Sequence, residues 1–190
     1  MSMAHKAFVF DTVTFNKEVA GVILKAGIHN NTEVLRQYIH NNIGRARSPY
    51  SGDLLTEGWE DELEKGDVQE LADFVMGCYY DPNADKGLAY EWDSLLAILK
   101  TLTTTQEANA LILGLPLKKD GFTLDPGYMG TGFVQAEAVP ACYDKLCNLE
   151  KRVNTVGQAE NSWQIADLFA SLKKLYREAS AQRSGLLLTF

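Results

Sequence analysis

KAFVFDTVTF at residues 6–15 and GLLLTF at residues 185–190 decide the fold class. They are the stretches where a strand reading outcompetes a helical one. The first is rich in aromatic and β-branched residues and partly alternates. The second is short, apolar and opened by glycine. Standing at opposite ends of the chain, they are expected to pair in one sheet. That pairing would tie down termini that otherwise fray.

Between these ends the helical period dominates. Val19, Val22, Ile23 and Ala26 recur at helical spacing, as do Val34, Leu35, Tyr38 and Ile39. Asn30 and Glu33 are placed to cap the second of these segments. Val68, Leu71, Ala72, Val75 and Tyr79 form a third stripe, and Trp92, Leu95, Leu96 and Leu99 a fourth. A shorter helix is expected over residues 106–113, with Thr104 and Glu107 spaced as a capping box. Val139, Cys142, Tyr143, Leu146 and Leu149 make one face of a further helix. Ile165, Leu168, Phe169, Leu172, Tyr176 and Ala179 make the face of the last, with Asn161 and Gln164 suited to its start and Gly185 beyond its end. Pro140 leaves two readings. Either residues 133–138 are a strand and the proline opens the helix, or the helix starts near Ala136 and holds the proline in its first turns. Residues 48–58 and 118–132 carry most of the turn formers and read as irregular.

The expectation is an α+β fold: one predominantly helical domain over residues 1–190, with a small sheet that includes both terminal strands. Its amphipathic segments should share a single interior. A chain of 190 residues, 46% apolar and 23% charged, has the balance of an ordinary globular domain. At that length it needs no disulfide or metal for support. Its three cysteines are an odd, low count, unlike a secreted disulfide framework. Asp11 interrupts the first apolar stretch, which argues against a signal peptide. The longest apolar run, residues 110–117, falls far short of the ~20 residues a membrane span needs. A cytoplasmic address is the expectation.

The net charge is −7 and the isoelectric point about 5.0. Duplex nucleic acid is an unsuitable partner, because phosphate neutralisation needs a basic footprint. An anionic membrane surface is unsuitable for the same reason. The charge is also segregated. Residues 53–73 hold nine acids, Asp53, Glu57, Glu60, Asp61, Glu62, Glu64, Asp67, Glu70 and Asp73, against Lys65 alone. That stretch is net −8, so the rest of the chain sums to +1. A charge run is ordinarily a solvated face. Its sharper reading is a docking surface for a basic protein, with Glu57, Glu60, Asp61, Glu62, Glu64 and Asp67 as contact residues.

Asp81-Pro82-Asn83-Ala84-Asp85-Lys86-Gly87 has the alternating oxygens that open a calcium loop. Lys86 stands where that loop needs glycine, and Trp92 where it needs glutamate, so a Pro-Asn turn is the preferred reading. Gly127-Tyr128-Met129-Gly130-Thr131-Gly132 lacks phosphate-loop spacing, and its glycines read as loop formers. Cys142 and Cys147, even with His5, His29 and His40, lack the paired spacing of a zinc site. No metal or cofactor is expected. No nucleophile elbow or metalloprotease motif is present in the sequence. Trp59, Trp92, Trp163 and Tyr128 are candidates to line a pocket, although Trp92 and Trp163 read better as core or its margin.

Several landmarks taken together resemble the YfbM-like family of small bacterial proteins. They are Met1-Ser2-Met3 and Phe15-Asn16-Lys17-Glu18 near the start, and Glu91-Trp92-Asp93-Ser94-Leu95-Leu96. Gly127-Tyr128 is followed by Phe133-Val134-Gln135-Ala136-Glu137-Ala138-Val139. Residues 168–179 (LFASLKKLYREA) and Leu186-Leu187-Leu188 close the series. Leu96 stands where that family commonly has histidine. The resemblance implies an α+β fold with the terminal segments in one sheet, and implies no activity.

Two functional expectations follow. The first is a non-enzymatic interaction or regulatory protein of bacterial cytosol, with an immunity-type factor as one form, that binds a basic partner through its acidic stretch. The alternative is a small-molecule-binding protein or enzyme with a pocket near residues 81–87 and 127–132, built from Asp81, Asn83, Asp85, Trp92 and Tyr128.

Overall fold

The computed structural model describes residues 3–125, 132–159 and 163–190. The two ends of the chain do pair. β1 (Lys6–Phe10) runs antiparallel to β5 (Gly185–Thr189), in register from Lys6↔Thr189 to Phe10↔Gly185. β4 (Gly132–Val134) lies on the other side of β5, also antiparallel, so the last strand is the central one. A central strand covered on both faces must be apolar at every position. That is why Leu186, Leu187 and Leu188 read as an unbroken apolar run and are all buried.

The pleat sorts these side chains onto two faces. Ala7, Val9, Val134, Leu186 and Leu188 face one apolar cluster. Phe8, Phe10, Phe133 and Leu187 face the other. The first cluster is completed by α5 (Trp92–Leu102), α6 (Thr105–Leu113), α7 (Val139–Ala159) and α8 (Trp163–Ala181). The second is completed by α1 (Thr12–Phe15), α2 (Gly21–His29), α3 (Glu33–Asn41) and α4 (Val68–Met76). The expected single interior is therefore corrected: three short strands part the apolar side chains into two layers. The amphipathic stripes themselves hold. Leu35, Ile39, Leu71, Val75, Leu95, Leu99, Leu146, Leu172 and Tyr176 are all buried.

Other local expectations also change. The strand expected over residues 6–15 stops at Phe10, because the Asp11 carboxylate accepts from Thr14 N at 3.0 Å and caps α1. From there helix continues through a π-helical turn, Asn16–Ala20, into α2. Phe15 thereby stacks on Phe133 at 5.6 Å and meets Phe10 edge-on at 5.1 Å, contacts worth about 0.5–1.5 kcal/mol each beyond area burial. Asn30, expected to cap α3, instead ends α2 with φ of 48°. Thr104 and Glu107 do form the capping box at the start of α6. β4 ends at Val134 and α7 begins at Val139, so Pro140 sits in the first turn of its helix.

Residues 118–132, read as irregular, contain most of a hairpin. β2 (Leu117–Lys119) pairs with β3 (Phe122–Leu124) across Asp120-Gly121, both at positive φ. That is the backbone a tight two-residue hairpin turn demands. Among the described residues no helix is long and apolar enough to cross a membrane.

Candidate functional site

The acidic stretch is built on a long connection between α3 and α4. Ala46, Leu55 and Trp59 bury their side chains and pin it to the second cluster. Backbone bonds from Leu55 N to Ala46 O and from Ser48 N to Asp53 O, both 2.9 Å, close a small loop. Ser48 is fully buried at the centre of this loop. Its Oγ accepts from Tyr50 N and Ser51 N at 3.1 Å and donates to Glu62 Oε2 at 2.5 Å. A 3₁₀ turn, Trp59–Glu62, then leads toward α4.

Glu70 organises the second half. It belongs by sequence to the acidic run, but it is only 1% exposed. Its Oε1 accepts from Glu64 N at 2.6 Å and from the Tyr50 hydroxyl at 2.8 Å. Its Oε2 accepts from Lys65 N at 2.8 Å and from Gly66 N at 2.5 Å. Burial acts to raise its pKa, but the backbone donors of residues 64–66 and the Tyr50 hydroxyl outweigh it and hold the carboxyl below its usual range. The same contact works in reverse on Tyr50, whose phenol is pushed well up by burial and by the facing carboxylate.

The remaining acids divide by what they touch. Asp67 caps α4 by accepting from Glu70 N at 3.0 Å. Glu60 pairs with Arg36 at 3.0 Å, and Glu62 is held by Ser48. Glu57, Asp61 and Glu64 are exposed and make no ion pair among the described residues. Tyr50 and Leu54, which the sequence did not single out, stand 54% and 48% exposed within the same loop. The surface is thus a fixed loop with two apolar side chains and a rim of carboxylates.

The residues proposed for a pocket are only partly brought together. The segment after α4 runs along the outer edge of β1 and covers it. His5 bridges Ala89, Lys86 N donates to Ala7 O, and Asp11 N donates to Tyr79 O. Asp85 Oδ1 accepts from Ala7 N at 2.9 Å and Gly87 N at 2.8 Å, substituting for a neighbouring strand. Asp81 Oδ1 accepts from Asn83 N at 3.0 Å, and Asn83 Nδ2 donates to Gly52 O at 3.1 Å. These oxygens serve the backbone. Among the described residues no group of three or more histidine, cysteine or acidic side chains could hold a metal ion. Asp81 does line a cleft of about 350 Å³ with Asp11, Tyr79, Lys86, Gln182 and Ser184. Trp92 is engaged elsewhere: its indole N–H donates to Met3 O at 3.0 Å and its ring meets Phe190. Tyr128 and the glycines at 127 and 130 lie outside the described residues.

Two further polar groups were not anticipated. Tyr38 and Tyr79 share a 2.5 Å hydrogen bond, and Tyr79 donates to Glu18 at 3.0 Å. Arg45 reaches the same Glu18 oxygen at 3.3 Å and lies 5.0 Å over the Tyr79 ring. Both phenols are pushed above their ordinary range, by burial first, so neither is poised as a base. The group clasps the π-helical turn, α3 and the end of α4. His5 is buried with Nε2 2.7 Å from Ile112 O and Nδ1 accepting from Leu88 N at 3.2 Å. Burial lowers its pKa and favours the neutral ring. His5 is committed to backbone, Cys142 is half-buried and Cys147 is exposed.

In sequence, Glu70 was legible as a charge within a helix whose other positions are mostly apolar. The Tyr79 group joins residues far apart in the chain and left no local signal. No family model, curated protein or solved structure matches this chain.

Proposed function

We propose that this chain is an interaction or regulatory protein that docks a basic protein surface on its loop of residues 50–64. One observation carries the reading: the loop is preorganised. Glu70, Ser48 and Trp59 fix it from beneath, so its carboxylates are presented without ordering a flexible segment. Ordering cost is a main loss in association, and a fixed loop avoids it. Tyr50 and Leu54 supply apolar contact, and the exposed acids around them supply steering and register. Basic side chains of the partner would meet Glu57, Asp61 and Glu64, whose carboxylates are uncommitted among the described residues. Glu60 and Glu62 would contribute field from their fixed positions.

The test uses the partner captured on the wild-type protein and then purified. The triple variant Glu57→Lys, Asp61→Lys, Glu64→Lys leaves the Ser48, Glu70 and Arg36 contacts intact and should fold. Its Kd should rise at least tenfold, and wild-type binding should weaken steeply with added salt. A Kd that neither the triple reversal nor salt changes removes the acidic loop from the interaction.

A further inference from the structure

α7 and α8 pack along each other over the first cluster, and on their outer side the seam between them opens into a hollow of about 230 Å³. Tyr143 of α7 and Lys173, Lys174 and Arg177 of α8 line it. Ala170, with no side chain beyond Cβ, leaves the space open. Among the described residues no acid borders it. In a chain of 25 acids and 18 bases, that is a local reversal of sign.

The helix itself does not account for these cations. Like charges three and four residues apart, as at Lys174–Arg177 and Lys173–Arg177, oppose each other on a helix. The helix dipole favours cations within the last turn, whereas Lys173 and Lys174 stand about two turns before the end at Ala181. Their charge is also incompletely neutralised. Lys174 and Arg177 are exposed and make no ion pair among the described residues. Glu178, whose charge reaches both, is bound by Lys86. Lys173 is paired with Glu150 at 2.5 Å, and Glu150 stands outside the hollow.

Tyr143 adds a neutral donor. Its ring packs on the margin of the first cluster, and its hydroxyl meets the Cys147 thiol, its one hydrogen-bond partner among the described residues. A thiol sulfur is a weak acceptor, so an anionic oxygen in the hollow would be a better one. The same hydroxyl feels the charges of Arg177 and Lys173, which places it on the cationic side. A guanidinium fork, an ammonium and a hydroxyl around one space are the donors a phosphate group needs. The volume is below the about 300–1,000 Å³ of pockets for drug-sized ligands, which points to a small ligand.

We infer that this hollow binds a small phosphate monoester. Arg177 and Lys174 take the phosphate oxygens, the Tyr143 hydroxyl makes a third contact, and the organic group lies against the Tyr143 ring and Ala170. Lys173 adds charge from its place beside Glu150. The hollow belongs to the other layer from the loop of residues 50–64 and does not depend on it.

The test is an NMR titration of the isotope-labelled protein at about pH 7.5, where a phosphate monoester is chiefly a dianion, and at constant ionic strength. The probes are phenyl phosphate, phenyl sulfate and inorganic phosphate. Phenyl phosphate should shift the amides of Tyr143, Ala170 and residues 173–177 saturably, with a Kd of about 1 mM or tighter. Phenyl sulfate has the same shape and one charge fewer, and inorganic phosphate lacks the ring; each should bind about fivefold more weakly or worse. Lys174→Ala/Arg177→Ala should weaken phenyl phosphate about tenfold or more, and Tyr143→Phe, which keeps the ring, about threefold. Neither variant should lower Tm appreciably, since the first changes exposed side chains and the second gives up only a bond to sulfur. No saturable binding by about 10 mM, or shifts confined to other residues, overturns the inference. So does a second probe that binds as tightly as phenyl phosphate, or an affinity unchanged in either variant.

Discussion

Replacing Glu70 by glutamine keeps the side-chain shape but removes the charge and turns one acceptor oxygen into a donor. Four donors converge on the native carboxylate, two at each oxygen. With the amide nitrogen at the Oε2 position the N–H groups of Lys65 and Gly66 both lose their acceptor; at the Oε1 position Glu64 N–H loses its own, while the Tyr50 hydroxyl can turn to accept. A hydrogen bond to a charged group contributes about 1.5–3 kcal/mol, so losing one or two of them, with the charge gone from the rest, costs about 3 kcal/mol. Against a total stability of roughly 5–15 kcal/mol that is severe but survivable. At this chain length about 3 kcal/mol lowers Tm by roughly 6–12 °C. Calorimetry at neutral pH measures it, and hydrogen exchange should show the amides of Glu64, Lys65 and Gly66 opening faster. The pH dependence has a fixed sign. The folded-state pKa of Glu70 is depressed, so its stabilisation is present above the ordinary carboxylate pKa of about 4.3 and is lost as pH falls through the lower folded value. The gap between wild type and variant should therefore shrink in acid. A Tm within about 2 °C of wild type, or a gap that stays constant into acid, refutes the role given to this carboxylate.

Other outcomes follow from the same contacts. His5 has its pKa lowered by burial, so wild-type stability should fall as pH drops below about 6.5. His5→Gln should lose that dependence and cost about 1–2 kcal/mol, read from urea unfolding at pH 5.5 and 7.5. A Cβ at Gly87 would lie 2.0 Å from the His5 carbonyl oxygen, so Gly87→Ala should loosen the segment over β1 and destabilise by about 1–3 kcal/mol or more, visible as a lower Tm. Burial pushes the Cys78 thiol up to about 11 and raises Cys142 as well, whereas Cys147 is exposed. A disulfide reagent should therefore modify one thiol quickly in the native protein, and Cys147→Ser should abolish that fast phase.

Much of the architecture was legible because it rests on local periodicity. The stripes through Leu71 and Val75, Leu95 and Leu99, or Leu172 and Tyr176 record which side faces inward, and the Thr104–Glu107 box marks a helix start. The terminal strands were legible by composition. Two interiors were not, because a helical stripe records burial but not against which layer. The apolar run at Leu186, Leu187 and Leu188 was the available clue, since a strand without a polar face must be covered twice. Asp11 lies within a stretch of strand composition, yet Asp before Thr-Val-Thr-Phe is also a helix cap, and the cap prevails. Asp120-Gly121 was a hairpin signal placed inside a presumed loop. For the site, charge segregation was visible, but its division was not. Which carboxylate faces solvent and which is buried depends on Ser48, Tyr50 and Arg36, contacts that form only across the folded loop.

The most direct measurement is the position of cross-links to the bound partner, made with a photoreactive residue placed singly at Leu54, Val13 or Leu115, three apolar sites that are all exposed. Adducts formed from position 54, and absent from positions 13 and 115, are the predicted result. Adducts from position 13 or 115 with none from 54 would place the partner on another face and contradict it.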